Sequence, residues 1–227
     1  EIVQLCEFLN KMGASISGIG SETLVIDGVN RLHPTDIKVI PDRIETGTFL
    51  IAGALLGGIT VKDIEIDHLD TVLGKLKDVG CKISVGESSI TLEPPDKIKP
   101  VDMTTAVYPG FPTDLQAQWV ALMSLADGSS TIKDTVYHDR FSHIPELARL
   151  GANIQVNHNT AFVRGVDSLV GAPVMSTDIR ASASLIIAGL AASGETEVSR
   201  VYHIDRGYER IEEKFRHLGA NISREHG

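Results

Sequence analysis

Three arginines have the side chains and positions best suited to binding a small polyanion. Arg140 and Arg206 end two similar stretches, residues 136–140 and residues 201–206, and Arg180 lies in the first turn of a predicted helix. The helix dipole disfavours a cation at that place, and a local rule that is broken often marks a site. Guanidinium groups bind carboxylate and phosphate oxygens in a bidentate manner. Spacing alone leaves two interpretations open: a convergent anion-binding cluster, or three solvated surface arginines.

Aspartates recur at the predicted starts of the buried helices, as Asp42, Asp114 and Asp178. An acidic residue in the first turn complements the helix dipole, and the neighbouring Thr113 and Thr177 are candidate N-caps. Such a capping role explains the aspartates without any chemistry. The pattern by itself therefore predicts helix starts and nothing more.

The elements that carry these residues repeat along the chain. One signature, the end of a helix followed by glycine, a small residue and an extended run, occurs four times at intervals of roughly 70 residues, which is typical of an array of similar units. Its glycines are Gly13, Gly80, Gly151 and Gly219. The sequence pattern of each full unit predicts a strand, a buried helix, a second strand, an amphipathic helix and a hairpin, in the order βαβαββ. We therefore expect an α/β fold with internal helices and outer sheets, the buried helices including residues 49–56, 119–126 and 185–192.

Composition excludes several classes of protein. The 227 residues carry a formal net charge of −9, which argues against nucleic-acid binding. No apolar run is long enough to cross a membrane. Cys6 and Cys81 are too far apart for a zinc or disulfide framework and suit a reducing cytosol, so we expect a cytoplasmic protein. His143 and Glu146 have no further ligand nearby, and we expect neither a metal nor a cofactor.

Four motifs carry a resemblance to a known family: residues 41–49, residues 111–114 (Phe-Pro-Thr-Asp), residues 177–183 and residues 203–210. They are similar to those of the bacterial UDP-N-acetylglucosamine 1-carboxyvinyltransferases, which are enolpyruvyl transferases. The resemblance implies two domains, each an inside-out α/β barrel of three repeats, with the substrates in the cleft between them. It also implies transfer of enolpyruvyl from phosphoenolpyruvate to the 3-hydroxyl of UDP-N-acetylglucosamine, with release of phosphate. That reaction is the first committed step of peptidoglycan synthesis, on which cell-wall biogenesis, cell shape and cell division depend.

The resemblance assigns roles to individual residues of this sequence. Asp114 would contact the acceptor hydroxyl and act as the base, and Val136 would lie along the sugar-nucleotide site. Arg140 and Arg180 would hold the carboxylate of phosphoenolpyruvate. Arg206 would lie near its phosphate and take part in catalysis with Asp114.

The resemblance also predicts that the chain is the C-terminal portion of a longer protein. Residues 1–40 would form the last, incomplete repeat of the first domain, and residues 41–227 the second domain without its N-terminal segment. The family's N-terminal part supplies a lysine, another arginine and a loop cysteine that donates a proton. Neither Cys6 nor Cys81 matches that cysteine, so we expect no transferase activity from this chain alone.

Three alternatives remain at this stage. The related 5-enolpyruvylshikimate-3-phosphate synthases share the architecture and differ in the acceptor. A non-catalytic repeat module would bind partners through its sheets or open edges. An RNA-processing cyclase with similar units conflicts with the acidic charge and the lack of a basic stripe.

Overall fold

A computed structural model describes residues 1–225 of the chain and divides it into two compact units, Glu1–Asp42 and Arg43–Gly227. The first unit consists of helix α1 (Ile2–Lys11) and an antiparallel hairpin of strands β1 (Ser15–Ser17) and β2 (Val25–Asp27). The Gly-Ile-Gly run at residues 18–20 lies in the turn of this hairpin, and both of its glycines have positive φ.

The second unit contains the remaining helices and strands. Its helices are α2 (Arg43–Leu56), α3 (Asp70–Val79), α4 (Gln116–Met123), α5 (Ile144–Arg149), α6 (Ile179–Ala191) and α7 (Ile211–His217). Its strands are β3 (Ile59–Lys62), β4 (Lys82–Val85), β5 (Ser89–Glu93), β6 (Met103–Thr104), β7 (Ser129–Lys133), β8 (Asn153–Asn157), β9 (Thr160–Arg164), β10 (Pro173–Met175) and β11 (Glu197–Ser199).

Helices α2, α4 and α6 form the interior of this unit and pack against one another. Each is apolar on nearly every side, which a helix tolerates only when it is buried all round. Leu50, Trp119 and Leu185, one from each helix, are completely buried. The prediction of internal helices is therefore confirmed, and each helix begins earlier than its apolar run.

Three sheets cover these helices. Their strand orders are β3-β5-β4, β6-β7-β9-β8 and the parallel pair β10-β11. Side chains alternate between buried and exposed along β5 and β9, so one face of each sheet packs on the core and the other faces solvent. Helices inside and sheets outside are the arrangement that the sequence predicts, and the inside-out α/β fold is confirmed.

The repeated glycines end helices, as the signature predicts. Gly80 follows α3 in the left-handed conformation, with φ 110°, and Gly219 has φ 96° after α7. The strand expected after Gly219 is not formed by residues 220–225, and the rest of that prediction lies outside the described residues. A strand requires a neighbouring strand to pair with, and among the described residues no strand pairs with this stretch.

Among the described residues, no helix is both long enough and apolar enough to cross a membrane.

Candidate active site

Asp114 holds two arginines from separate repeats at one carboxylate oxygen. It lies in a short 3₁₀ helix, Thr113–Leu115, which leads directly into α4. Its Oδ1 atom is 2.7 Å from Nη1 of Arg140 and 3.3 Å from Nε of Arg180. Arg140 follows β7 in the same repeat, whereas Arg180 belongs to the next one. The structure thus brings together three of the candidate site residues, Asp114, Arg140 and Arg180.

Both arginines of this cluster are largely withdrawn from solvent. The Arg140 side chain is 21% exposed and the Arg180 side chain 15%, so the interpretation of solvated surface arginines is wrong for these two. Burial alone would raise the pKa of Asp114, but the charges and hydrogen bonds of Arg180 and Arg140 hold it below its ordinary value. Asp114 is therefore ionised at neutral pH and can accept a proton.

The start of helix α6 fixes the position of Arg180. Asp178 is the N-cap of that helix, and its Oδ1 accepts hydrogen bonds from the backbone N–H groups of Arg180 (2.7 Å) and Ala181 (3.0 Å). The capping carboxylate offsets the unfavourable dipole that a cation meets in the first turn. Burial would lower the pKa of Arg180, but Tyr208 and Asp114 raise it above its ordinary value, so the guanidinium stays charged.

The prediction that Thr113 and Thr177 are helix N-caps is wrong. Neither the 3₁₀ helix at Asp114 nor α4 has a side-chain cap, and the Thr113 hydroxyl donates to Oδ2 of Asp134 instead, at 2.6 Å. Thr177 lies one residue before the cap of α6, and its hydroxyl is 2.9 Å from that of Ser142. Sequence spacing indicated the correct turn but not which side chain completes it.

A buried hydrogen-bond network supports the guanidinium of Arg180. Its Nη1 donates to the Tyr208 hydroxyl at 3.3 Å, and the guanidinium lies over the Tyr208 ring, 5.8 Å from its centre. The same hydroxyl is 2.8 Å from Oγ1 of Thr48 on α2 and accepts from Nε2 of Gln118 on α4 at 3.3 Å. The arginine is therefore tied to all three repeats of this unit.

Arg140 is supported by its own loop. Its Nη1 donates to Oγ1 of Thr113 at 3.3 Å, and its guanidinium lies 5.6 Å from the centre of the Tyr137 ring. Val136, in the same loop, is 43% exposed and its backbone N–H donates to Asp134. The structure therefore places Val136 beside the cluster on an accessible loop.

Arg206 lies apart from these contacts. It ends the 3₁₀ helix Val201–Arg206, and its side chain is exposed. Within residues 1–225 its guanidinium forms no hydrogen bond or ion pair with Asp114, Arg140 or Arg180. Its assignment to the site stays a prediction that rests on the resemblance.

Sequence reasoning missed the residues behind the arginines. Tyr208 falls within the motif at residues 203–210, but the motif alone gave it no role at the site. Asp134, Gln118 and Thr48 carry no motif of their own. A polar residue inside an otherwise apolar helix was the available signal for Gln118 and Thr48, since both are completely buried.

A carboxylate held by two guanidinium groups can support two kinds of chemistry. The arginines can bind an incoming carboxylate or phosphate, and the freed Asp114 can take a proton from a hydroxyl within hydrogen-bond reach. Across residues 1–225, no group of three or more His, Cys, Asp or Glu side chains is placed to hold a metal ion.

Comparison with known proteins points to carboxyvinyl transferases. The family model described as EPSP synthase (3-phosphoshikimate 1-carboxyvinyltransferase) matches residues 1–215. Over 226 residues the chain is 56% identical to the UDP-N-acetylglucosamine 1-carboxyvinyltransferase of Prosthecochloris aestuarii and 58% identical to that of Chloroherpeton thalassium. These matches cover 99% of this chain and 53% of each relative. The chain thus spans about half the length of the curated relatives it matches.

Solved structures agree in fold. The enolpyruvyl transferase NikO from Streptomyces tendae matches with a TM-score of 0.85 and 33% identity, over 97% of this chain and 53% of that one. An EPSP synthase from Acinetobacter baumannii matches with a TM-score of 0.71 over 92% of this chain and 53% of that one. At 17% identity the second likeness shows the fold alone.

Proposed function

Because this chain belongs to the EPSP synthase (3-phosphoshikimate 1-carboxyvinyltransferase) family, we propose that it is the C-terminal portion of a UDP-N-acetylglucosamine 1-carboxyvinyltransferase. The full-length parent protein would transfer enolpyruvyl from phosphoenolpyruvate to the 3-hydroxyl of the sugar nucleotide and release phosphate. Its product would enter peptidoglycan synthesis, and cell shape and division would depend on it.

One observation carries this proposal: an ionised aspartate lies between two partly buried arginines. Phosphoenolpyruvate bears a carboxylate and a phosphate, and both groups match guanidinium geometry. Arg140 and Arg180 would bind its carboxylate in place of the side chain of Asp114. Because these arginines are already fixed by the surrounding hydrogen bonds, they would neutralise substrate charge without reorganising during the reaction.

Asp114 would then serve as the base. The two arginines lower its pKa while they hold its carboxylate. When an incoming carboxylate takes the place of Asp114 on these arginines, their pull on Asp114 weakens and its pKa rises towards its ordinary value. The aspartate becomes a stronger base when phosphoenolpyruvate is bound, and it would take the proton of the 3-hydroxyl as that oxygen attacks C2. Collapse of the phosphate-bearing intermediate would complete the transfer.

The choice of acceptor is supported by the relatives. The two curated relatives that share 56% and 58% of residues with this chain are named for UDP-N-acetylglucosamine. The EPSP synthase structure shares only 17%. We therefore favour the sugar nucleotide over shikimate 3-phosphate as the acceptor, with Val136 lining its site and Arg206 near the phosphate of phosphoenolpyruvate.

The remaining parts of the site would come from the rest of the parent protein. Residues 1–40 would belong to the last repeat of its first domain, and the proton donor to C3 would be a cysteine from the N-terminal part. Cys6 and Cys81 are both buried free thiols, which suits a reducing cytoplasm. Without the N-terminal part, we expect the 227-residue chain to have no transferase activity.

Phosphate release by the full-length parent protein tests the proposal. Turnover is expected with phosphoenolpyruvate plus UDP-N-acetylglucosamine and not with shikimate 3-phosphate. Asp114→Asn should lower kcat by about 10²- to 10⁴-fold, the usual contribution of a general base. The matched control is Asp127→Asn, because Asp127 forms an exposed ion pair with Lys97 and should tolerate the change. Turnover with shikimate 3-phosphate, or an Asp114→Asn variant as fast as the wild type, would overturn the proposal.

A further inference from the structure

Asp134 is a buried carboxylate that lies behind the candidate site. It follows the last residue of β7 and is completely inaccessible to solvent. Four hydrogen bonds reach its side chain. Its Oδ1 accepts from the Thr105 hydroxyl (2.7 Å) and from the backbone N–H groups of Val136 (3.0 Å) and Tyr137 (2.8 Å), and its Oδ2 accepts from the Thr113 hydroxyl (2.6 Å).

The donors come from three different segments. Thr105 follows β6, Thr113 begins the 3₁₀ helix that carries Asp114, and the two backbone groups open the loop that leads to Arg140. The backbone of Asp134 is held as well, since it exchanges hydrogen bonds with Asn159 between β8 and β9. Burying a carboxylate is costly unless its oxygens are satisfied. Here neutral donors satisfy both oxygens, so the side chain is fixed in place.

Each carboxylate oxygen of Asp134 is connected to the guanidinium of Arg140 through one intermediate residue. Because the Thr113 hydroxyl donates its hydrogen to Oδ2, its oxygen is left to accept from Nη1 of Arg140. Because the Tyr137 N–H donates to Oδ1, the backbone of that tyrosine is fixed, and its ring lies 5.6 Å from the same guanidinium. One buried side chain therefore sets the two contacts that hold Arg140, apart from its ion pair with Asp114.

We infer that Asp134 is a positioning residue for the binding of phosphoenolpyruvate, acting on Arg140 through Thr113 and Tyr137. The inference rests on the proposed function for the identity of the ligand. Asp134 does not touch the ligand. It makes Thr113 an acceptor towards the arginine, and only a carboxylate can accept from all four donors at once.

Replacement by asparagine separates this role from simple packing. An Asp134→Asn side chain can keep its carbonyl oxygen on the loop and then presents an NH₂ group to Thr113. The hydroxyl of Thr113 must then accept where it had donated, and its own hydrogen is free to turn towards Arg140. Arg140 then loses its hydrogen-bond acceptor at Thr113, although the volume of the side chain at position 134 is nearly unchanged.

The experiment measures the dissociation constant of phosphoenolpyruvate with the full-length parent protein by calorimetric titration. Asp134→Asn and Thr113→Val should each weaken binding by about tenfold, the size of one lost hydrogen bond to a charged group. Thr113→Ser keeps the hydroxyl and should bind within about twofold of the wild type. The double variant Asp134→Asn/Thr113→Val should bind no more weakly than the poorer single variant, because the Thr113 contact that Thr113→Val removes is one that Asp134→Asn already disrupts.

The matched control is Asp102→Asn. Asp102 also ties β6 to β7, through the backbone N–H of Thr131 at 2.7 Å, but at the end of the strands away from the site. Its replacement should leave the dissociation constant unchanged. Wild-type affinity in Thr113→Val would overturn the inference even where Asp134→Asn folds poorly. Where Asp134→Asn folds, fully additive losses in the double variant would overturn it as well. A parent protein that binds phosphoenolpyruvate without transferring it would contradict the proposed function alone.

Discussion

At the scale of single residues, the Tyr208 hydroxyl links the interior to the site. It contacts Thr48, Gln118 and Arg180, one residue from each internal helix. Burial raises the pKa of Tyr208 above its ordinary value although Arg180 pulls it down, so the phenol stays neutral. A neutral hydroxyl can accept from the arginine and from the amide of Gln118 and still donate to Thr48. It therefore holds Arg180 without cancelling its charge.

Removal of this hydroxyl should cost stability and affinity together. Tyr208→Phe leaves buried donors without their acceptor, and we expect the free energy of unfolding to fall by about 1–3 kcal/mol. Because Arg180 loses its support, binding of phosphoenolpyruvate should also weaken. Denaturant unfolding and calorimetric titration of the parent protein measure the two effects. Tyr202→Phe is the control, since Tyr202 is 60% exposed. Equal behaviour of the two variants would contradict the role given to Tyr208.

The sequence predicted the charged members of the site but not their supports. Arg140 and Arg180 were candidates because of their charge at the end of a repeated stretch and at a helix start, whereas Asp114 was assigned to the site by the family resemblance alone. Asp134 and Tyr208 act through contacts with residues far away in the chain, such as Thr105 and Thr48. Pairings of that kind depend on the packing of the helices and strands, which local spacing does not specify.

At the scale of elements, the start of helix α6 depends on one carboxylate. Asp178→Ala removes the acceptor for two backbone N–H groups and should lower the free energy of unfolding by about 1 kcal/mol. Thr177→Ala should have a smaller effect, because the Thr177 hydroxyl bonds only to exposed Ser142 among the described residues. Thermal unfolding of both variants tests this assignment, and a larger loss from Thr177→Ala would restore the original prediction of the cap.

The loop before helix α5 contains a buried histidine that should make stability depend on pH. Burial lowers the pKa of His143 from 6.5 to about 4; Asp178 opposes this shift and Arg140 adds to it. Between these pH values the unfolded chain binds the proton and the folded chain does not, so folding is disfavoured as the pH falls. We expect a loss of up to about 3 kcal/mol in the free energy of unfolding from pH 6.5 to pH 4.

Urea unfolding across this pH range tests the prediction. His143→Gln should show a shallower decline with falling pH, because the group that titrates is gone. His138→Gln removes an exposed histidine and should follow the wild-type curve. If all three proteins lose stability in parallel, His143 does not control the dependence on pH.

The starts of the internal helices were predictable, whereas the polar side chains buried behind them were not. Asp42, Asp114 and Asp178 marked these starts, and α2, α4 and α6 begin one or two residues later, at Arg43, Gln116 and Ile179. Thr48 and Gln118 are buried in these helices, where they bond to each other and to the Tyr208 hydroxyl. Periodicity reports burial in an apolar core and does not detect a polar interior of this kind.

At the scale of the whole molecule, the repeats supply the scaffold and the differences between them supply the site. All three repeats of the second unit contribute an internal helix, and the signature glycines end the amphipathic helices as predicted. Arg140 and Arg180 are additions that the first of these repeats lacks. The βαβαββ pattern was enough to predict the inside-out arrangement. It was not enough to predict the end of the chain, where the signature recurs but residues 220–225 form no strand.

Calorimetric titration of phosphoenolpyruvate into the full-length parent protein tests the central claim most directly, namely that Arg140 and Arg180 form one anion-binding site around Asp114. Arg180→Met should weaken binding by at least about tenfold, because a charge-assisted contact to the carboxylate is lost. Arg164→Met, which changes an exposed arginine at the end of β9, should bind like the wild type. Wild-type affinity in Arg180→Met would contradict the claim.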